Sequence, residues 1–117
     1  MQDNINIYEE ERPWGRFRKF TENVLSTVKI ITVNPNKKLS LQSHQKRDEF
    51  WKVIEGNGIF EIDQIKYEVK KGDEKYIPQG ILHRIEALSE EFVILEISTG
   101  EFDENDIKRF EDEYGRV

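Results

Sequence analysis

The sequence contains two histidines, His44 and His83, and the residues around the first carry groups that could bind a metal ion. Gln42 and His44 are two positions apart, so on a β-strand their side chains point to the same face. Glu49 follows five residues after His44 and could return to that face after a short turn. A small β-barrel could bring His83 into the same interior. Together these four side chains would form a nitrogen and oxygen site for a divalent metal ion.

The segments that would carry these side chains have the pattern of short strands separated by turns. Residues 26–33 form the clearest β-branched run, and Gly and Pro residues recur at near-regular spacing along the chain. Asp63 and Gln64 separate two alternating segments as a two-residue hairpin would, although Asp-Gln is a weaker turn than Asp-Gly. This pattern predicts an all-β domain, either a barrel or a sandwich.

The C-terminal segment has a different pattern. Asp103 could cap a helix in which Ile107, Phe110 and Tyr114 share one face, and Gly115 would end it. We therefore predict a short C-terminal helix that closes one side of the barrel.

Length and composition limit the domain organisation and the partners. The 117 residues are enough for one domain, which we place at residues 12–117, after a polar and acidic N-terminal arm at residues 1–11. The absence of cysteine excludes disulfides and thiolate ligands, and it fits a cytoplasmic protein. The net charge of −6, with scattered basic residues, argues against nucleic acid as a partner. Neither a signal peptide nor an apolar stretch of about 20 residues is visible, so we expect no membrane association.

Two motifs resemble those of the cupin superfamily. The first is a His-x4-Glu-x6-Gly pattern, formed by His44, Glu49 and Gly56, with Gln42 where many members have another histidine. The second is a Gly-x5-Pro-x-Gly-x2-His pattern, formed by Gly72, Pro78, Gly80 and His83. The resemblance implies a single-domain cupin, a jelly-roll-type β-barrel with a metal ion inside.

A narrower resemblance covers about residues 11 to 116. Residues 39–51, 76–84 and 106–116, together with the Arg-Pro-Trp-Gly stretch at 12–15, are similar to the type II mannose-6-phosphate isomerases. Many members of that family carry this domain behind a nucleotidyltransferase domain, and this chain resembles the isomerase part alone. The chain departs from the family where histidines are common, and it has there Gln45, Lys46 and Phe50.

The resemblance implies a metal-dependent isomerase that interconverts mannose 6-phosphate and fructose 6-phosphate through an enediol. Gln42, His44, Glu49 and His83 would hold the metal, with zinc favoured and manganese, cobalt and nickel compatible with nitrogen and oxygen ligands.

Three further residues are candidates around this site, and a fourth charged residue lies close to it in the sequence. Arg84 follows a predicted ligand and could contact the phosphate or the reacting oxygens, since Arg suits bidentate binding. Lys29 is a second candidate for substrate binding, and an inward charge there would need an anionic partner. Glu96 interrupts an apolar strand, and we favour a buried carboxylate that could act as the catalytic base over an outward-facing one. Arg47 could be a solvated charge in a turn.

Two other functions remain open at this stage. A non-catalytic cupin that binds a sugar or a sugar nucleotide would explain the missing family histidines. A cupin dioxygenase usually keeps two histidines in the first motif, so Gln42 argues against it. A homodimer formed through barrel edges is also compatible with the sequence.

Overall fold

In the computed structural model, which describes residues 7–115, the chain forms eleven β-strands. They are β1 (Tyr8–Arg12), β2 (Gly15–Lys19), β3 (Ser26–Val33), β4 (Leu41–Ser43), β5 (Arg47–Glu55), β6 (Asn57–Ile62), β7 (Ile65–Lys70), β8 (Glu74–Ile77), β9 (His83–Ala87), β10 (Phe92–Gly100) and β11 (Lys108–Glu111). Within these residues, no helix has the length and apolar character needed to cross a membrane.

Two antiparallel sheets enclose the core. One has the strand order β3-β10-β5-β8 and the other the order β11-β4-β9-β6-β7. The buried apolar cluster between them consists of Val33, Trp51, Val53, Phe60, Val69, Ile77, Ile85, Ala87, Phe92 and Ile94. The predicted all-β fold is confirmed.

Polarity changes along the inward face of the central strands. In β10, Ile94 is buried in the apolar cluster, whereas Glu96 and Ser98 continue the same face as buried polar residues. The register pairs Ser98 with Glu49 of β5, so the polar ends of these two strands meet at the same end of the barrel. One end of the interior is therefore an apolar core, and the other end contains buried polar and ionisable side chains.

The predicted hairpin turn at Asp63 and Gln64 is present between β6 and β7. Both residues have positive φ values, 52° and 68°. A two-residue turn with both φ values positive matches the right-handed twist of the flanking strands. Asp63 and Gln64 therefore adopt the turn geometry that an Asp-Gly pair favours more strongly.

The predicted C-terminal helix is wrong. Asp103 does cap one turn, since its side chain accepts a hydrogen bond from the Asn105 N–H at 2.9 Å. The chain then becomes extended as β11, which pairs with β4 along the edge of the second sheet. Phe110 and Tyr114, which would have lain on the buried helix face, are 41% and 54% exposed. Backbone pairing with β4 replaces the hydrogen bonds that the helix would have made internally.

Part of the predicted N-terminal arm has regular structure. Residues 8–12 form β1, which pairs with β2 in a hairpin, while residues 1–6 lie outside the described part of the chain. Arg18 of β2 anchors this hairpin to the barrel, because its guanidinium donates to both carboxylate oxygens of Glu74 at 2.5 and 3.1 Å. The domain boundary at residue 12 stays a prediction.

Candidate metal centre

Three of the four predicted metal ligands converge at the polar end of the barrel. His44 lies directly after β4, Glu49 is in β5, and His83 begins β9. All three are buried, and their candidate ligand atoms lie within 4.8 Å of one another. The topology therefore brings together side chains from both sheets that are up to 39 positions apart in the sequence (83 minus 44).

Backbone carbonyl groups fix the orientation of both imidazole rings. Nδ1 of His44 lies 2.7 Å from the carbonyl oxygen of Asp106, and Nδ1 of His83 lies 2.9 Å from that of Ile81. A carbonyl oxygen can only accept a hydrogen bond, so the proton of each ring is on Nδ1. Each Nε2 then carries a lone pair and lies 3.5 or 3.6 Å from a carboxylate oxygen of Glu49. In this tautomer Nε2 is the ring nitrogen that can bind a metal ion, while Nδ1–H is held by a carbonyl group.

Two neighbours hold the Glu49 carboxylate in place. Arg47 donates from Nε to one oxygen at 3.0 Å, and the indole N–H of Trp51 donates to the other at 3.1 Å. Outer hydrogen bonds of this kind orient a carboxylate ligand and tune its basicity.

The pKa shifts favour the protonation states that metal binding needs. Burial lowers the pKa of His83 and, with the help of the nearby Arg47 charge, the pKa of His44, so both rings are neutral at pH 7. Burial by itself raises the pKa of Glu49, but attraction to the protonated forms of His83 and His44 and to the Arg47 guanidinium outweighs it and leaves the pKa below its ordinary value. With both rings neutral, Arg47 is the charge that still favours the ionised carboxylate. Neutral imidazoles and an ionised carboxylate fit a divalent cation.

The placement of Gln42 is compatible with a fourth ligand. Its side chain borders the same cavity as His44 and His83. Its amide nitrogen donates to the Ser40 hydroxyl at 3.1 Å, which leaves the amide oxygen as the atom a metal could use. Metal coordination by Gln42 stays a prediction.

Arg47 is part of the site, which the sequence interpretation missed. Its side chain is 6% exposed rather than solvated in a turn. Besides binding Glu49, it donates from Nη2 to Nε2 of His44 at 3.0 Å, and its guanidinium lies 4.5 Å from the ring centre of Phe102. The spacing to Glu49 carried the missing signal, since residues two apart on one strand share a face.

Glu96 is a buried carboxylate inside the barrel, as predicted from its position in an apolar strand. Its Oε1 lies 3.6 Å from Nζ of Lys29 and makes no hydrogen bond within residues 7–115. Burial, followed by the nearby charge of Glu49, raises the pKa of Glu96 to about 7. Lys29 faces inward with its partner, and its ammonium also lies over the ring of Phe102 at 4.7 Å.

Arg84 makes its hydrogen bonds outside this cluster, although it borders the small cavity that His44, His83 and Glu96 also line. Its Nε donates to the carbonyl of Leu39 at 2.9 Å, and its two terminal nitrogens contact the side chain and backbone of Glu111 at 2.9 and 3.3 Å. These contacts join β9 to β11. The catalytic and substrate-binding roles predicted for Arg84 stay predictions.

A cavity of about 520 Å³ is bordered by two of the predicted metal ligands, Gln42 and His44. Its walls include Lys29, Gln42, His44, Arg47, Phe102 and Arg109. A cavity of this size lies in the range of small-molecule sites and combines cations with hydrogen-bonding groups.

The chain has clear relatives among known proteins. A family model described as mannose-6-phosphate isomerase C-terminal matches residues 2–112. The alginate biosynthesis protein AlgA of Pseudomonas putida is 35% identical over 99% of this chain and 24% of its own length. The mannose-1-phosphate guanylyltransferase ManC of Salmonella typhimurium is 35% identical over 93% of this chain and 23% of its own length. The chain thus spans about a quarter of the length of these relatives.

The fold also has relatives among solved structures. A cupin protein from Bacteroides fragilis superposes with a TM-score of 0.60 at 23% identity, covering 69% of this chain and 74% of that one. This likeness confirms the predicted cupin barrel.

Proposed function

Since the chain belongs to the mannose-6-phosphate isomerase C-terminal family of cupins, we propose that it is a metal-dependent isomerase of mannose 6-phosphate and fructose 6-phosphate. The observation that carries the proposal is the buried cluster of His44, Glu49 and His83, in which His44 also borders a cavity lined by cations. Carboxylate and imidazole groups with fixed orientations are suited to hold a divalent ion beside a polar substrate.

His44, Glu49, His83 and Gln42 would hold the ion, which when bound would supply Lewis acidity to the oxygens at C1 and C2 of the sugar. The protein's own residues supply the rest. Arg47 helps to keep Glu49 ionised and oriented, and the carbonyl groups of Asp106 and Ile81 keep both histidines in the tautomer whose Nε2 is unprotonated. On His44 this nitrogen accepts a hydrogen bond from Arg47, which a bound metal ion would have to displace.

Glu96 is our candidate for the group that moves the proton. Conversion of the aldose to the ketose transfers a proton from C2 to C1 and another from O2 to O1, so the same carboxyl can accept a proton and return it. A pKa of about 7 suits this task, because a general base works best when its pKa lies near the working pH. Lys29, 3.6 Å away, stabilises the ionised form between transfers.

The family histidines that Gln45, Lys46 and Phe50 replace would lie away from the cluster, which supports catalysis over simple sugar binding. Gln45 and Lys46 are exposed, and Phe50 packs against Phe20 at 5.3 Å between ring centres. Because Phe50 and Glu49 are adjacent on one strand, their side chains point to opposite faces of the sheet. Histidines at positions 45, 46 and 50 therefore would not have been ligands in this geometry.

A coupled assay for fructose 6-phosphate with a panel of divalent metals tests the proposal. We expect turnover of mannose 6-phosphate that is lost on chelation and restored by at least one metal. Glu49→Gln should abolish it, whereas Glu68→Gln, at an exposed position on β7, should not. Metal-loaded protein that binds hexose phosphate but turns none over would contradict the isomerase proposal and favour a binding module.

A further inference from the structure

Arg109 lies on the cavity face of the second sheet, in line with two of the predicted metal ligands. In the register of β11, β4 and β9, Arg109 pairs with Gln42, and Gln42 pairs with His83. Directly paired residues on neighbouring antiparallel strands project from the same face of the sheet. Arg109, Gln42 and His83 therefore form one row of side chains across three strands, and Arg109 stands at its outer end.

The other cations around the cavity already have partners. Lys29 pairs with Glu96, and Arg47 binds Glu49 and His44. Arg84, which follows His83 on β9, donates hydrogen bonds to the Leu39 carbonyl and to the Glu111 carboxylate.

Arg109 differs from these cations because it lacks an acceptor. Its Nε is buried and has no hydrogen-bond partner, and no ion pair to its guanidinium is present within residues 7–115. A buried N–H of a charged group without an acceptor costs free energy that a ligand oxygen can recover. Glu104 is an acidic residue on the cavity wall that could have served as an acceptor for Arg109, but it is exposed to solvent.

We propose that Arg109 binds the phosphate group of the hexose phosphate that occupies this cavity, an inference that rests on the proposed function. A guanidinium presents parallel N–H donors that match the oxygens of a phosphate. Neighbouring strands are about 4.8 Å apart, so the backbone of Arg109 lies about 10 Å from that of His83. That separation suits a hexose 6-phosphate, whose phosphate is at the opposite end of the carbon chain from the reacting C1 and C2.

The proposed role of Arg109 depends on the C-terminal segment being a strand. As part of β11, Arg109 is held in register against the strand that precedes His44. The predicted amphipathic helix would have provided no such pairing with Gln42, and the row of three side chains would not exist.

Titration calorimetry with metal-loaded protein tests the inference, using mannose 6-phosphate and unphosphorylated mannose as probes. We expect wild type to bind the phosphorylated sugar more tightly, and Arg109→Gln to weaken that binding about 10- to 100-fold without changing the affinity for mannose. Arg109→Lys should recover only part of the loss, because it keeps the positive charge but lacks the parallel N–H donors of the guanidinium. Arg16→Gln, at an exposed position in the N-terminal hairpin, is the matched control and should bind like wild type.

A stability measurement separates ligand binding from a structural role. The melting temperature of ligand-free Arg109→Gln should equal or exceed that of wild type, because the substitution removes a buried donor without a partner. A lower melting temperature together with unchanged affinity for mannose 6-phosphate would show a structural arginine and overturn the inference.

Turnover measured in parallel distinguishes this inference from the proposed function. Active wild type with an unaltered KM in Arg109→Gln would overturn the role of Arg109 and leave the isomerase intact. Inactive wild type whose binding of mannose 6-phosphate still depends on Arg109 would refute the isomerase and support the anion site. Equal affinity of wild type for mannose and mannose 6-phosphate would overturn the inference whatever the turnover.

Discussion

Glu49 lies at the centre of the polar contacts in the site. Its two oxygens accept hydrogen bonds from Arg47 and Trp51, and both face a histidine Nε2. The side chain is 2% exposed and its partner Arg47 is 6% exposed, so this is a buried ion pair. The same carboxylate thus serves two purposes, as a candidate metal ligand and as the counter-charge of a buried arginine.

Glu49→Gln should remove the metal and also destabilise the protein. Loss of the negative charge leaves Arg47 buried without a counter-charge, which typically costs about 3–5 kcal/mol. We expect metal content near zero by elemental analysis and a lower urea midpoint. His83→Ala should likewise lose the metal but with a smaller loss of stability, since His83 is not the partner of a buried charge. Full metal occupancy in either variant would contradict the assignment of that ligand.

The pKa of Glu96 predicts how stability depends on pH in the metal-free protein. The folded-state pKa of about 7 lies above the ordinary value of 4.5, so the folded protein binds the proton more tightly. The free energy of unfolding therefore falls as pH rises from about 4.5 to about 7, by up to about 3 kcal/mol. Glu96→Gln cannot ionise, and its stability relative to wild type should increase through this window and level off above it.

Urea unfolding at several pH values checks this expectation. Glu68→Gln, an exposed carboxylate on β7, is the control and should follow the wild-type profile. A constant stability difference between Glu96→Gln and wild type from pH 4 to pH 9 would show that Glu96 does not titrate as the structure indicates.

The cluster of His44, Glu49 and His83 could be predicted from residue types and spacing. Its members stand in motifs whose offsets from turns and glycines are constrained by the barrel. The inward direction of Arg47 could not be predicted with the same ease, because a charged residue next to a turn is usually solvated. Only the contacts with Glu49, His44 and Phe102 explain its burial.

Among the elements, β11 has the largest effect on the site. It contributes Arg109 to the cavity, and it is joined to β9 through the contacts of Glu111 with Arg84. The segment before it supplies the Asp106 carbonyl that holds His44. The edge strand and the loop that leads to it therefore complete one wall of the candidate site.

Arg84→Gln should loosen β11 without removing the metal. The hydrogen bond to the half-buried Leu39 carbonyl and the pair with the 64% exposed Glu111 are together worth about 1–2 kcal/mol, since solvent screens the second. We expect faster amide exchange in residues 108–111 and unchanged metal content. Glu111→Gln, which weakens only the exposed pair, should show a smaller effect.

A different outcome would restore the substrate role first predicted for Arg84. Unchanged exchange in β11 combined with a raised KM for mannose 6-phosphate would show that this guanidinium contacts substrate.

The sequence favoured a helix over β11 for an identifiable reason. Ile107, Phe110 and Tyr114 have the spacing of one helical face, and Asp103 is a good cap. A strand of four residues carries almost no periodic signal of its own, and its partner β4 lies more than sixty positions earlier in the chain. Pairing at such a distance depends on the assembled barrel and is not visible in a local pattern.

At the scale of the whole molecule, local charges rather than net charge would have to attract the sugar phosphate that we propose as substrate. The protein carries a net charge of −6, whereas Lys29, Arg47 and Arg109 border a single cavity. Long-range steering by the overall field would oppose a sugar phosphate, so selectivity for it would rest on contacts made inside the cavity.

The homodimer that is compatible with the sequence stays a prediction.

Metal removal should lower the stability of the whole domain. A metal that binds only the folded chain adds about 2.7 kcal/mol when its free concentration is a hundred times its Kd. For a domain of this size, that corresponds to a shift in melting temperature of about 10 °C. We expect calorimetry of chelated protein to show this decrease and re-addition of metal to reverse it. A melting temperature that is insensitive to both treatments would argue against the site.

The contact between His44 and Asp106 has a consequence for how the protein is made. The two residues are 62 positions apart, and the later one fixes the tautomer of the earlier one. During synthesis from the N-terminus, His44, Glu49 and His83 leave the ribosome before the residue that orients the first of them. Metal binding at this site would therefore be a late event in biogenesis, because a nascent chain stalled before residue 106 lacks the carbonyl group that orients His44.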